Sequence, residues 1–116
     1  MIKVDERDNY ALLKCSFGEW SAEFISALRK NIIANSPDVL ADIASLDPAS
    51  FNKKVGDQLT EMTSNANVVF IAGDHYDHYH ELELDALNFT PRSEEAVDML
   101  FMIKMEKELG GEDFEI

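Results

Sequence analysis

The chain has 116 residues, 46% of them apolar, and sets 23 acidic residues against 10 Lys and Arg, a formal net charge of −13. Apolar content at that level excludes a wholly disordered chain, and so negative a field excludes direct nucleic-acid and anionic-membrane binding as first expectations. Cys15 is the one cysteine, so no intrachain disulfide can form, which fits a reducing compartment.

The first element expected is a strand over Ile2–Asp5, followed by a polar turn over Glu6–Asn9 and a second strand over Tyr10–Phe17. In that second strand Ala11, Leu13, Cys15 and Phe17 share one face by period-two alternation. A helix follows from about Glu19 or Trp20, with Ser16 and Glu19 at capping-box spacing. Its apolar stripe is Trp20, Phe24, Leu28 and Ile32, with Ile25 alongside. "NSPDVL" and "LDPASF" read as two helix starts, Ser36 and Asp47 capping and Pro37 and Pro48 at the first helical position. The short helix between them offers Val39, Leu40, Ile43 and Leu46. The next, from Pro48 to about Thr63, offers Phe51, Val55, Leu59 and Met62, and carries a Gly56 that costs about 1 kcal/mol of helix propensity.

"NVVFIAG" is β-branched and bounded by Asn and Gly, as a buried strand would be. Gly73–Asp77 is then expected to turn, and Tyr79–Leu87 to return as the second strand of a hairpin. "TPRSEEAVDMLFMIKMEKELGG" is the strongest helix signal, with Thr90 capping, Pro91 first and Gly110 closing. The expected architecture is α+β: a small antiparallel sheet of two hairpins, near residues 1–17 and 67–87, packed with about four helices in the order β-β-α-α-α-β-β-α. Residues 1–110 read as a single globular domain and 111–116 as a short acidic flexible tail. The opening "MIKVDERDNY" lacks an apolar signal core, and the uncharged run Met62–Gly73 is only 12 residues long. A soluble, cytoplasmic protein is expected.

The acidity is not evenly spread. Residues 1–60 hold 9 acids and 7 bases, a net of −2, whereas residues 61–116 hold 14 acids and 3 bases, a net of −11. Within the second half, "GDHYDHYHELELDAL" contains all three histidines and five acids, Asp74, Asp77, Glu81, Glu83 and Asp85. Read as a strand, it places Tyr79, Glu81, Glu83 and Asp85 on one face, at a pitch of roughly 6.7 Å. His78, His80, Leu82 and Leu84 take the other. A carboxylate row of that kind can stand in for the phosphates of a nucleic-acid strand.

The function expected on these grounds is that of a small acidic inhibitor docking on a basic nucleic-acid-binding surface, such as that of a nuclease. Its binding residues would be Asp74, Asp77, Glu81, Glu83 and Asp85, with Tyr76 and Tyr79 as aromatic anchors. In kind, though not by any motif, such a protein resembles DNA-mimic anti-restriction and anti-CRISPR proteins and nuclease immunity proteins. The competing class is a metal-binding protein that uses His75, His78 and His80, with Zn as the ion. A third class is a non-catalytic dimeric subunit, joined through the helix near 91–109. Met99, Met102 and Met105 give that helix an adaptable apolar stripe. No G-x-S-x-G, phosphate-loop or H-E-x-x-H pattern supports an enzyme.

Overall fold

The chain is described by a computed structural model over residues 2–110, except residues 8, 17 and 36. The expected positions of Phe17 and Ser36, and the tail 111–116, lie outside those residues. Strands β1 (Ile2–Glu6) and β2 (Ala11–Cys15) pair antiparallel, with Ile2 opposite Cys15 and Glu6 opposite Ala11, so the first expected hairpin forms. Helix α1 (Ala22–Asn35) begins two to three residues later than its apolar stripe suggests. The Ser21 hydroxyl, not Ser16, accepts from the Phe24 N–H and closes its first turn.

Beyond α1 the pairing changes character. The segment expected as a short helix is instead strand β3 (Asp38–Asp42), whose Val39, Leu40 and Ala41 are all buried. A run buried on both faces is the mark of a central parallel strand, and that burial outweighs the Pro37 helix-start signal. Asp47 does cap as expected, accepting from the Ala49 N–H, but it closes only a short 3₁₀ turn over Pro48–Ser50. Phe51 then adopts an extended backbone and enters the core, and α2 (Lys53–Met62) starts anew with Asn52 accepting from the Val55 N–H. Gly56 in α2 has a packing reason: a Cβ there would sit 3.3 Å from the Leu84 side chain and 3.6 Å from Phe51.

Strand β4 (Asn67–Ile71) forms as expected. The second expected hairpin does not. Gly73–His75 is a 3₁₀ turn, Tyr76–Glu81 is helix α3, and the chain returns to the sheet only at the two-residue β5 (Phe89–Thr90). Thr90 is therefore a buried strand residue, and α4 (Ser93–Gly110) starts three positions after it. The fold is α+β, as expected, but its five-stranded sheet is mixed. Strands run in the order β1-β2-β3-β4-β5, with β2/β3, β3/β4 and β4/β5 all parallel.

Parallel neighbours need a crossover, and α1, α2 and α3 supply one each. Crossovers of one hand, stepping in one direction, bring these helices to one face of the sheet. There Leu13, Val39, Ala41, Val68 and Phe70 pack with Leu28, Ile32, Val55, Leu59 and Tyr79. On the opposite face Leu12, Leu40, Val69 and Ile71 pack with Ala96 and Leu100 of α4. Lys104 of α4 also reaches Asp38 of β3 at 3.2 Å, and Asp38 accepts a 2.8 Å bond from the Asn67 amide.

Gly73, two residues past the end of β4, has a φ of +62°, and a Cβ there would fall 2.8 Å from that of Ala44. Gly73→Ala should thus lower the unfolding free energy by about 1–3 kcal/mol, combining left-handed strain with a clash against the β3 exit. Urea unfolding followed by Trp20 fluorescence measures this, and an unshifted midpoint would contradict the placement of the turn.

Candidate functional site: an acid-rimmed cleft at the sheet edge

The histidine- and acid-rich stretch is helical where a strand was expected, and this rearranges every candidate residue in it. Successive helical residues step by about 100°. Tyr76, Tyr79 and His80 therefore fall together, while His78 lies roughly 200° from His80. Tyr79 faces inward and is 1% exposed, so it belongs to the core and not to an exposed binding row. Its hydroxyl accepts a 2.9 Å hydrogen bond from the Trp20 indole N–H. Its ring stacks on Phe89 at 4.9 Å and meets Phe51 edge-on at 5.3 Å. Burial pushes the Tyr79 hydroxyl pKa above its ordinary value, against the lowering effect of the Trp20 bond.

Tyr76 is half-buried, and its ring stacks on that of exposed His80 with centroids 5.4 Å apart. Asp74, Asp77 and Glu81 are exposed, and helical spacing puts Asp77 and Glu81 on one side of α3. The even 6.7 Å row expected from the strand reading is therefore absent; a cluster on a helix and loop replaces it. The three histidines are not gathered either. Among the described residues no group of three or more His, Cys, Asp or Glu is placed to hold a metal ion.

After α3 the backbone turns through Glu83, whose φ is +52° and whose N–H donates to the His80 carbonyl. This is the left-handed helix-closing position that glycine normally fills. Leu84 packs against the core and Leu87 is buried within it, while Leu82, expected to face inward, is exposed. The two anchored leucines pin the loop and leave Glu83 and Asp85 facing solvent.

These elements border an open cleft of about 660 Å³. Tyr76, Tyr79, His80 and Glu81 line it from α3, Glu83, Leu84, Asp85, Leu87 and Asn88 from the loop, Phe89 from β5, and Met99 from α4. Since α3 and α4 lie on opposite faces of the sheet, the cleft wraps around the sheet edge at β5. Of the expected partner-binding residues, Tyr76, Tyr79, Glu81, Glu83 and Asp85 meet there, whereas Asp74 and Asp77 lie outside its lining; of the three candidate metal ligands only His80 lines it, and His75 and His78 do not. Among the described residues none of the ion pairs engages any of the five acids. Leu84, Leu87, Asn88, Phe89 and Met99 complete the lining and escape the sequence reading. The i, i+3, i+4 spacing of Tyr76, Tyr79 and His80 is the signal that could have revealed them as one helical side.

No family model and no curated protein matches the chain. Among the described residues no helix is long and apolar enough to cross a membrane.

Away from the cleft, Cys15 is buried, and desolvation, reinforced by the charge of Asp42, pushes its thiol up to about 12. The native protein should resist thiol alkylation at pH 8 and react fully once unfolded in denaturant. The unfolded thiol ionises near 9.0 while the folded one stays neutral to about 12, so its stabilising contribution is complete below pH 9 and lost as pH rises through that window. Denaturant midpoints of wild type and Cys15→Ala across pH 8 to 11 measure this. A wild-type midpoint that declines no faster than the variant's would contradict it.

Proposed function

We propose that the chain is a small acidic binding protein whose β5-edge cleft docks on a basic surface of a partner protein, one that otherwise binds nucleic acid, and inhibits it by occupying that surface. The observation that carries this reading is the grouping of Glu81, Glu83 and Asp85, exposed and outside every ion pair among the described residues, around one cleft with an aromatic wall. Carboxylates without internal partners leave their charge available to an incoming cation. Tyr76 and His80 add flat surface of the kind that anchors interfaces. Glu83 supports the same reading, since a left-handed backbone at a non-glycine residue is the sort of strain found at binding sites. The mimicry it implies is of clustered charge in a concave site, not of a phosphate ladder.

A second reading, self-association, is favoured by Phe101, Met102 and Met105, which lie exposed on the outer side of α4, the two methionines 60% and 58% accessible. Light scattering distinguishes one chain from two.

The docking reading is tested by affinity capture from host lysate with wild type and with a Glu81→Lys, Glu83→Lys, Asp85→Lys variant shown by circular dichroism to be folded. The expected result is a basic, nucleic-acid-binding protein retained by wild type at about 50 mM salt, released near 0.5 M, and missing from the variant. Added wild type should also displace nucleic acid from that protein once purified. Identical captures by both proteins would contradict the reading.

A further inference from the structure

The geometry points to a mode of recognition at this cleft: we infer that it takes an extended, basic segment of the partner as an added strand along β5. The inference rests on the docking reading above and specifies its chemistry. The starting point is the backbone at β5 and the preceding Asn88, on one of the two edge strands of the sheet. The Asn88 carbonyl accepts from the Phe70 N–H at 2.8 Å and the Thr90 carbonyl from the Ala72 N–H at 2.7 Å. In a parallel ladder alternate residues turn their peptide groups to opposite sides. The N–H and C=O of Phe89 between them therefore face outward, along the edge that borders the cleft. An edge of this kind is a template for another strand.

The walls of the cleft set what that strand would carry. Side chains of an added strand alternate between the two faces of the sheet. One set would meet the α3 side, with Glu81, Glu83, Asp85 and the stacked Tyr76–His80 pair. Arginine suits that wall, because a guanidinium can lie flat on an aromatic ring while donating to carboxylates. The other set would meet Met99 of α4, which suits an apolar residue. Alternating basic and apolar residues are thus the complementary pattern. A flexible surface lysine cluster lacks it.

The probe is a capped peptide of about six residues, one strand length, alternating valine and arginine. Two controls share its length: one with N-methyl groups on alternate backbone amides, and one with glutamate in place of arginine. Binding is followed by NMR on isotope-labelled wild-type protein, with hydrogen exchange read at the Phe89 amide. The expected result is binding that slows Phe89 exchange about tenfold or more, weakens about fivefold to tenfold on N-methylation, and vanishes with the glutamate peptide. Substituting Glu81→Gln, Glu83→Gln and Asp85→Asn should weaken it further. Binding with unchanged Phe89 exchange, or with no penalty for N-methylation, would overturn strand addition while leaving the docking reading intact. Absence of valine–arginine binding would also overturn it, and the capture experiment with the whole protein would then show separately whether docking itself survives.

Discussion

The hydrogen bond from the Trp20 indole to the Tyr79 hydroxyl, inside a group of aromatic rings, is the interaction on which most of this architecture turns. Trp20 lies just before α1, Phe51 between the 3₁₀ turn and α2, Tyr79 in α3, and Phe89 in β5, so one cluster ties together four segments distant in sequence. Edge-to-face and offset pairs each add about 0.5–1.5 kcal/mol beyond the area they bury. The indole N–H and phenol also satisfy each other, since either alone in that core would carry a desolvation cost of about 1–3 kcal/mol. A helix as short as α3 is marginal in isolation. Its stability comes from this inward anchor.

The same anchor determines what faces solvent. Once Tyr79 points inward, helical spacing sends Asp77 and Glu81 outward and lays Tyr76 beside His80 at the cleft. Leu84, closing over Gly56, and the buried Leu87 then hold the following loop so that Glu83 and Asp85 face the same opening. The acids are thus positioned by apolar contacts on the other side of the backbone. The return strand is only two residues long, and among the described residues it forms the end of the sheet between α3 and α4.

What could be read from sequence follows from where local signals agree with the tertiary fold. The first hairpin, β4, α1 and α4 each combine a clear period with breakers at their ends, and all four appear close to their expected places. Asp38–Asp42 misleads because a Pro at a helix-start position competes with burial on both faces, which only the assembled sheet supplies. Residues 73–87 mislead because Leu82, Leu84 and the acids alternate with period two, while the residues that decide the matter, Tyr76, Tyr79 and His80, repeat at helical spacing over less than two turns. With strand and helix exchanged there, the acidic residues were legible as a group and their arrangement was not. β5 offers too little sequence for any period to show.

The most direct test of this account is an NMR measurement on the single tryptophan and the stretch around Tyr79. Trp20 gives the one indole N–H signal in the protein. It should exchange slowly with solvent and show cross-relaxation to the Tyr79 ring, with residues 76–81 carrying helical carbon shifts. A rapidly exchanging indole together with extended shifts over 76–81 would contradict the account, since Tyr79 would then no longer hold the acids around the cleft.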